Sequence, residues 1–598
     1  MAKNGSYILG INAYDHDVSA CLLRDGEIAI AIEKERITRE KHAAGFFQEV
    51  VDYCLAAEGI TLDDVDLVVR NCYVLPIEDL EVRLLYQGDM DAKERAQTAK
   101  HPLYLSKSNK VVTISHHLAH AYSAFAACPF DEGVVMVVDG VGSYNADVSE
   151  KERPGREVDP LARESESYYK FQGSNIEPLK KVWLNPVRGF LSDEFYFMPG
   201  LGALYSRVSS YIFADWNKCG EVMGLAPYGR RNAIKPLLDI KNGELHVHEW
   251  DADFNKPHLP DEEESWEKSP TMQHWRDLAW RVQDDTEKVL LERAIWLRET
   301  TGAKNLCIAG GVALNCVANG RIVREAGFDN VWIQPAAGDN GIAIGCAYYG
   351  HLAIQKKPRS FVMNHAYLGI EYKDEVARAA ADHWLVRLQT NSTRCEDISG
   401  ASAQLLAEGR IFGWFQGGSE FGPRALGNRS ILADPRTPEM KDQLNARVKF
   451  RQAFRPFAPI VLAERANEVF ECEAESPFML VAAPVRPQWK DRVPAITHVD
   501  GTARIQTVRR EHNERLYRLL QEFEKLTGVP VLLNTSFNIR GQPIVETPQD
   551  AVECFLSTGI DCLAMHDMLI TKNLFYRLVS PVMKTYYEVS AMRSSGED

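Results

Sequence analysis

The sequence predicts an α/β protein with at least two domains, and three observations support this fold class. The chain has 598 residues, which is more than one hydrophobic core usually holds. Several apolar runs end in Asp or Gly, and helical segments alternate with them. Hydrophobic residues make up 45% of the chain and charged residues 25%, an ordinary balance for a globular protein. We therefore expect folded units along the chain, with disorder only near its ends.

Short strands are predicted to open the first unit. Residues 7–33, YILGINAYDHDVSACLLRDGEIAIAIE, predict three strands in a β-meander, with an Asp-Gly turn before the third. Apolar runs at 133–143 and 305–322 predict further buried strands, and the second run leads into a helix. Segments 145–168 and 251–270 contain few apolar residues, which predicts surface insertions. The sequence shows no repeat, although two meander-containing halves of this unit could still be related in structure.

The domain boundary is expected after the apolar helix GIAIGCAYYGHLAI. We predict a first domain at 1–365, a linker region at 366–390 and a second domain at 391–598. A helix near 399–409 and the strand RIFGWFQ would begin the second domain, which therefore also has an α/β pattern.

Charge and the lack of targeting patterns narrow the range of partners. The formal net charge is −15 and the pI about 5.6, which disfavours nucleic acid because phosphate backbones are repelled. No apolar run reaches the roughly 18 residues of a membrane span, and the amino terminus lacks a signal-peptide pattern. The 12 cysteines include no CxxC pair, so neither a zinc ribbon nor a disulfide framework is indicated. We expect a cytoplasmic protein that binds neither membranes nor nucleic acid.

The segment SHHLAHAYSA contains the first candidate metal ligands. On a helix, His116 and His120 lie on one face and can share a metal ion, whereas His117 points elsewhere. Asp139 and Asp339 each follow an apolar strand, where open α/β sheets place functional groups. Two imidazoles and two carboxylates suit Fe²⁺, Mn²⁺ or Zn²⁺ with open coordination positions. The alternative is that the histidines are structural, and the sequence alone does not show whether the four residues converge.

A polar loop and a glycine turn hold further candidates. The loop NAYDHDVS lies between two predicted strands, and its His16 is a candidate general base because its unperturbed pKa lies near neutral pH. The alternative for this loop, which also carries Asp15 and Asp17, is an Asx-rich turn. Gly310 and Gly311 in AGGVALN mark a strand-to-helix turn, where the backbone can approach a nucleotide.

Basic residues of the second unit stand in Gly- and Asn-rich surroundings. In an acidic protein this pattern suits an oxyanion such as phosphate, since arginine offers bidentate contacts and neutral side chains add donors. Asn534 and Ser536 are the candidate neutral donors. The alternative is that the arginines pair with surface acids. The basic residues are Arg424, Arg429, Lys449, Arg455 and Arg504.

Together these segments resemble the natural-product O-carbamoyltransferases, a group that includes the tobramycin, cephalosporin, novobiocin and nodulation carbamoyltransferases. The resemblance covers nearly the full length and implies a TsaD-like domain of the actin-like ATPase superfamily, followed by a YrdC-like domain. The motifs occur in family order: ILGINAYDHDVSACLLRDGEI, EKERITREKH, SHHLAHAYSA, VVDGVGS, MGLAPYG, AGGVALN, AAGDNG, EFGPRALGNRSILADPR and LNTSFNIRGQPIV.

The resemblance implies that the second domain makes an activated carbamoyl group. Carbamoyl phosphate would lose phosphate to give carbamate, which ATP, with Mg²⁺, would convert to carbamoyl adenylate and pyrophosphate. A cationic cluster fits this polyanion chemistry. The implied carbamoyl phosphate ligands are Arg424, Lys449, Arg455, Arg504, Asn534 and Ser536.

For the first domain, the resemblance implies transfer of the carbamoyl group to a hydroxyl of a small natural product. The adenylate would reach this domain internally, because a mixed anhydride released to water hydrolyses. His16 would deprotonate the hydroxyl, and a Fe²⁺ ion, or Mn²⁺ or Zn²⁺ in its place, would polarise the adenylate. The implied metal ligands are His116, His120, Asp139 and Asp339, and the implied nucleotide contacts are Gly310, Gly311 and Asn315.

The acceptor site is the least determined part of this interpretation. Arg36, Lys41 or His42 in EKERITREKH are candidates for its lining. The family pattern leads us to expect a Lys before VMGLAPYG, but the chain has Glu221 there and Lys218 three residues earlier, which leaves the role of that loop open.

Two other functions are alternatives to carbamoyl transfer to a small molecule. A TsaD-like transferase acting on tRNA is disfavoured by the acidic charge and by the second domain. A non-catalytic nucleotide-binding regulator is disfavoured because such a protein need not keep both sets of site residues. The resemblance also makes a homodimer plausible.

Overall fold

In the computed structural model the chain divides into two compact units. The first comprises Met1–Glu35 and His42–Met363, and the second comprises Arg36–Lys41 and Asn364–Asp598. The structure describes residues 5–13, 16–71, 110–149, 158–159, 162–184, 199–241, 243–248, 259, 266, 269–388, 391–472 and 474–572.

The first unit alternates strands and helices, as the sequence predicts. Its described strands are β1 Tyr7–Asn12, β2 Ser19–Arg24, β3 Glu27–Glu33, β4 Leu67–Asn71, β5 Val111–Ile114, β6 Glu132–Val138, β7 Arg163–Gln172, β8 Asn175–Leu184, β9 Leu238–Lys241, β10 Glu244–Val247, β11 Asn305–Ala309 and β12 Asn330–Ile333. Its described helices are α1 Lys34–Thr38, whose last three residues belong to the second unit, α2 Gln48–Glu58, α3 His116–Phe125, α4 Leu201–Phe213, α5 Cys219–Leu225, α6 Met272–Thr301, α7 Cys316–Glu325 and α8 Ile342–Tyr348.

Two five-stranded sheets of the first unit share one topology. The first has the order β3-β2-β1-β4-β5 and the second the order β8-β7-β6-β11-β12. In each, a central strand pairs antiparallel with the second strand of a meander and parallel with a later strand. The two halves are thus related in structure without a visible sequence repeat, and the doubling agrees with the implied actin-like domain. The α/β fold class is confirmed.

Buried strands and two close helix contacts hold these halves together. All six residues of β1 are buried, and so are the last six of β6, which explains why both strands read as continuous apolar runs. A Cβ on Gly10 would lie 2.0 Å from the Ala343 carbonyl oxygen, so α8 can lie directly on β1. A Cβ on Gly345 would lie 1.7 Å from the Ala119 carbonyl oxygen, so α8 also packs tightly on α3.

The prediction of a surface insertion at 145–168 is wrong from Arg163 onward. Residues 164–168 belong to β7 and are buried, although two of them are glutamates. Glu164 pairs with Lys181 and Glu166 pairs with Arg293, so each buried carboxylate has a buried cation beside it. Alternating charges concealed a core strand. The predicted insertion at 251–270 lies almost entirely outside the described residues.

The second unit is built on one nine-stranded mixed sheet of order β13-β21-β20-β14-β15-β19-β16-β18-β17. Its described strands are β13 Asn391–Arg394, β14 Phe412–Phe415, β15 Arg429–Ala433, β16 Ala458–Leu462, β17 Val481–Pro484, β18 Thr502–Val508, β19 Val531–Ser536, β20 Cys562–Met565 and β21 Met568–Thr571. Its described helices are α9 Asp374–Leu388, α10 Ile398–Ala407, α11 Glu439–Leu444, α12 Ala466–Val469, α13 Pro487–Lys490, α14 Glu514–Thr527 and α15 Pro548–Ser557.

The start of the second unit confirms some predictions and corrects another. Helix α10 and strand β14 match the predicted helix near 399–409 and the strand RIFGWFQ. The range 366–390, predicted as a linker, contains α9, whose Ala377 and Ala381 are buried in the core of this unit. Charged residues flank these two alanines, so the sequence pattern did not indicate an apolar helix face.

No helix among the described residues is long and apolar enough to cross a membrane.

Candidate active site

Four predicted metal ligands converge at strand ends of the first unit; we call them the His–Asp cluster. His116 and His120 lie on α3, which follows β5, and Asp139 directly follows β6. Asp339 opens a 3-10 turn that follows β12 and leads into α8. β5 and β12 hold equivalent places in the two sheets, so the doubled topology brings these ligands together.

The ring nitrogens and carboxylate oxygens of the His–Asp cluster lie close together. The His116 Nε2 atom lies 3.0 Å from Asp139 Oδ2 and 3.4 Å from Asp339 Oδ1. The His120 Nε2 atom lies 3.8 Å and 3.6 Å from the same two oxygens. One ligand atom from each of the four residues falls within 4.8 Å of the others. The residues fit a small divalent ion.

The side chain of His120 is fully buried. Neither of its ring nitrogens has a hydrogen-bond partner among the described residues. A buried polar group of this kind is costly unless a ligand satisfies it. Asp139, in contrast, accepts the Gly311 N–H at 2.8 Å through its other oxygen, which fixes the carboxylate in place. The unpaired imidazole is the strongest structural indication that the cluster holds a metal.

Charges within the cluster support one another. Burial lowers the pKa of His116, but the Asp339 and Asp139 carboxylates outweigh it and hold that pKa well above its usual range. Burial raises the pKa of Asp339, but His116 and His16 outweigh it and hold the pKa well below the usual range. Both carboxylates are therefore available as anionic ligands at neutral pH.

His117 points away from the cluster, as the helical spacing predicts. Its Nδ1 atom lies 2.8 Å from Ser167 Oγ, and its backbone N–H donates to Glu164 Oε2 at 3.3 Å. Burial lowers the pKa of His117 to about 3, so the ring is neutral. His117 anchors α3 to strand β7.

His16 stands beside the cluster with its ring held by a carboxylate. Its Nδ1 atom lies 2.9 Å from Asp17 Oδ2, and its Nε2 atom lies 3.6 Å from Asp339 Oδ2. The other Asp17 oxygen lies 2.8 Å from His42 Nδ1. Asp17 and His42 both have positive φ, 52° and 54°, an unusual backbone for non-glycine residues. Asp15 of the same loop lies outside the described residues.

Trp216 is a neighbour of His16 that the sequence analysis missed. The two ring centroids are 5.4 Å apart, with an interplanar angle of 57°. Trp216 precedes α5, where the chain has Glu221 instead of the expected Lys. Glu221 lies in the first turn of α5, and Lys218 pairs with Asp215 at 3.9 Å. No pattern in the sequence marked the tryptophan, because the contact joins residues 200 positions apart.

The glycine turn forms as predicted, but it is tied to the His–Asp cluster. Gly310 has φ 91°, and a Cβ there would lie 2.3 Å from the Val138 carbonyl oxygen. The Gly311 N–H is already donated to Asp139. Asn315 caps α7 and shares two hydrogen bonds with Gln283 of α6, at 2.9 and 3.1 Å. Gly310 and Gly311 thus lie beside Asp139 of the His–Asp cluster, whereas Asn315 is bonded to α6.

In the second unit, a buried carboxylate shapes the loop FGPRALGNR. Glu420 Oε1 accepts the backbone N–H groups of Leu426, Asn428 and Arg429 at 2.7, 2.8 and 3.2 Å. Arg424 is half-buried within this loop. Arg429 is structural, because its buried guanidinium bonds to backbone carbonyls and lies 3.7 Å from the Phe415 ring centre.

Lys449 and Ser536 meet at the end of β19. The Lys449 ammonium donates to the Ser536 carbonyl and, at 3.2 Å, to its hydroxyl. It also donates to Asn538 Oδ1 at 2.6 Å, and Asn538 was not among the predicted residues. Burial lowers the pKa of Lys449 well below its usual range, and the charges of Arg451, Lys41 and Arg455 lower it further. Basic residues are therefore concentrated around Lys449.

Asn534 differs from its predicted role as a donor. Its side-chain amide donates to the Ala425 carbonyl at 2.8 Å and to Gln506 Oε1 at 3.2 Å. Its buried Oδ1 atom has no hydrogen-bond partner in the part of the chain that the structure describes, so it can accept a hydrogen bond. Gln506 lies two residues after Arg504 on β18, so these two side chains share one face of the strand.

The three candidates for the acceptor pocket do not form one group within either unit. Arg36 is 1% exposed, and its guanidinium donates to the Gly422 carbonyl at 2.6 Å in the second unit. Lys41 belongs to the same unit, and its positive charge lowers the pKa of Lys449. His42 belongs to the first unit and pairs with Asp17. Arg36 serves the structure, and Lys41 joins the basic residues around Lys449.

A doubled α/β domain with a His–Asp cluster, followed by a second domain with basic residues around Lys449, suits a group-transfer enzyme. Family models agree with this class: the carbamoyltransferase amino terminus matches residues 7–79 and 80–348, and the carbamoyltransferase carboxy terminus matches residues 403–572. The chain belongs to the carbamoyltransferase family and is a carbamoyltransferase.

Relatives match over most of the chain. It is 38% identical to an uncharacterized protein of Synechocystis sp., over 95% of this chain and 97% of that protein. It is 35% identical to nodulation protein NolNO of Sinorhizobium fredii, over 94% of this chain and 80% of that protein. The crystal structure of full-length HypF in the phosphate- and nucleotide-bound form gives a TM-score of 0.35 at 13% identity, over 59% of this chain and 57% of that one.

Proposed function

We propose that the protein is an ATP-dependent O-carbamoyltransferase that modifies a hydroxyl group of a small molecule. Carbamoyl phosphate and water give carbamate and phosphate, and carbamate and ATP then give carbamoyl adenylate and pyrophosphate. The acceptor hydroxyl attacks the carbamoyl carbon, and AMP leaves. The observation that carries the proposal is the opposite chemistry of the two sites: one offers imidazoles and carboxylates, and the other offers cations.

The second unit would bind the carbamoyl donor and ATP. Arg424, Arg455 and Arg504 suit the phosphate oxygens, with Lys41 adding positive charge near Lys449. The unpaired Asn534 Oδ1 suits the amino group of the carbamoyl moiety, which needs an acceptor. Asn534 would thus distinguish a carbamoyl group from an acyl group that lacks the N–H donors.

The first unit would carry out the transfer with His16 as the general base. Asp17 accepts the Nδ1–H of His16, which leaves Nε2 as the basic nitrogen directed toward the His–Asp cluster. An acceptor hydroxyl near Nε2 would lose its proton there as it attacks. Trp216 beside His16 offers an aromatic surface against which the apolar face of a hydroxylated ring can pack.

The His–Asp cluster would hold Fe²⁺, or Mn²⁺ or Zn²⁺ in its place, through His116, His120, Asp139 and Asp339. When bound, such an ion supplies Lewis acidity to oxygens of the carbamoyl adenylate. The Gly310–Gly311 turn lies beside Asp139, and Asn315 caps the helix that follows this turn. These three residues would hold the adjoining nucleotide.

An acceptor-free assay tests the proposal. Purified protein with ATP and Mg²⁺ is expected to exchange labelled pyrophosphate into ATP only when carbamoyl phosphate is supplied, because the adenylate forms reversibly. Acetyl phosphate is the control donor and should support little exchange. Exchange that is independent of carbamoyl phosphate, or no exchange at all by a folded protein, would contradict the proposal.

A further inference from the structure

A buried ion pair lies behind the His–Asp cluster, on strands that carry none of its ligands. The side chains of Glu164 on β7 and Lys181 on β8 are both 0% exposed, and the Lys181 ammonium donates to Glu164 Oε1. Lys181 also donates to Ser167 Oγ at 3.3 Å and to the Tyr169 hydroxyl at 3.1 Å. Buried ion pairs seldom add net stability compared with apolar packing, so a specific role should be sought.

The second carboxylate oxygen of Glu164 accepts hydrogen bonds from two backbone segments that carry the proposed metal ligands. Glu164 Oε2 accepts the N–H of His117 at 3.3 Å and the N–H of Ser143 at 3.1 Å. His117 follows the ligand His116 on α3, and Ser143 lies in the loop after the ligand Asp139. A single carboxylate therefore joins the two segments.

Ser143 completes the connection to the ligand itself. Its hydroxyl oxygen accepts the backbone N–H of His116 at 2.9 Å. The residue that precedes α3, Ser115, makes no capping hydrogen bond with its side chain, so the first N–H groups of the helix are satisfied from outside it. A negative charge at this end also suits the helix dipole. Burial raises the pKa of Glu164, but Lys181 outweighs it and lowers that pKa to about 2.

We propose that Glu164, held by Lys181, is a positioning residue of the metal site that fixes α3 and the Asp139 loop relative to each other. This inference rests on the metal site of the proposed function. Groups behind metal ligands commonly set ligand orientation, and their loss typically weakens metal binding by about 10- to 100-fold.

The same strand provides a matched control. Glu166, two residues along β7, is 1% exposed and pairs with Arg293 of α6 at 2.9 Å. It also accepts a hydrogen bond from the Tyr168 hydroxyl. Removing either carboxylate disrupts one buried ion pair, but the described side-chain bonds of Glu166 are to Tyr168 and α6 rather than to α3 or the Asp139 loop.

The experiment titrates metal-free full-length protein with Co²⁺, whose visible absorption reports coordination geometry. Glu164→Gln is expected to bind Co²⁺ about 10- to 100-fold more weakly and with an altered spectrum. Glu166→Gln should keep the wild-type spectrum and Co²⁺ affinity, even if its melting temperature falls as much as that of Glu164→Gln. Ser143→Ala, a milder change, should weaken binding by about 2- to 10-fold, and it decides the matter if Glu164→Gln does not fold.

The outcomes separate this inference from the proposed function. Wild-type protein that binds no Co²⁺, or His120→Ala that binds it normally, would remove the metal site and this inference with it. Binding that needs His120 but is unchanged in Glu164→Gln, or in Ser143→Ala when the former does not fold, would overturn only the positioning role. Equal losses in Glu164→Gln and Glu166→Gln would reduce the effect to general destabilisation and also overturn it.

Discussion

The two candidate sites differ in what the protein already provides. In the first unit, the buried His120 ring has no hydrogen-bond partner among the described residues, and its Nε2 atom lies 3.6 and 3.8 Å from two carboxylate oxygens. In the second unit, the buried Lys449 ammonium is surrounded by oxygens of Ser536 and Asn538. The first cluster therefore offers an imidazole to a ligand, whereas the Lys449 side chain is already hydrogen-bonded within its unit. Metal loss should therefore harm the first site selectively.

The largest effect is expected at the His–Asp cluster. His120→Ala should lose bound metal and reduce carbamoyl transfer by more than about 100-fold, because one of four ligands is removed. Metal content by mass spectrometry and transfer to a hydroxylated acceptor measure this. His351→Ala is the control, since His351 is also buried in the first unit and its Nε2 atom lies 3.3 Å from the Pro358 carbonyl oxygen. A His120→Ala protein with full metal content would refute the ligand assignment.

A second large effect concerns the general base. His16→Asn should lower transfer by about 10²- to 10⁴-fold, the usual contribution of general base catalysis. The measurement is the rate of AMP release with an acceptor on which the wild type turns over. Metal content should remain unchanged, because His16 lies beside the cluster and not within it. Normal transfer by this variant would exclude His16 as the base.

Substitutions in the second unit should change how the reaction rate depends on the carbamoyl phosphate concentration. Arg455→Ala is expected to raise the carbamoyl phosphate concentration needed for half-maximal phosphate release by about 10- to 100-fold, because a charge-assisted phosphate contact is lost. Arg510→Ala is the control, since Arg510 is exposed and pairs with Glu514. Bound metal should be the same in both proteins. Identical donor dependence in the two variants would remove Arg455 from the site.

The smallest effect is expected at the acceptor. Trp216→Ala should raise the acceptor KM by about tenfold, which corresponds to the loss of one aromatic packing contact. Trp216→Phe should recover most of this loss, and pyrophosphate exchange without acceptor should be unchanged in both. A change in exchange would show that Trp216 serves the adenylate rather than the acceptor.

Much of the first site could be predicted because its residues follow strands. The α/β alternation, the ends of β6 and β12 and the spacing of His116 and His120 are local patterns, and sheet topology then brings them together. Contacts made across long sequence separations could not be predicted. The Trp216 ring beside His16, the pairing of Asp17 with His42 and the role of Glu164 depend on tertiary packing alone.

The sequence does not indicate which charged residues are buried. Arg429 and Arg36 stand within family motifs, yet both are buried and bonded to backbone carbonyls. Glu164 and Glu166 gave a core strand the pattern of a surface segment. In each case the charge can be buried because it bonds to a group in another segment of the chain. The local sequence pattern does not identify that partner.

The division of labour between the two sites is tested most directly by pyrophosphate exchange into ATP in two variants assayed side by side. With carbamoyl phosphate present and no acceptor, His16→Asn should exchange at about the wild-type rate, and Arg455→Ala should exchange far more slowly at the same donor concentration. Equal loss of exchange in both variants would contradict the account, because adenylate formation would then depend on the first unit's base.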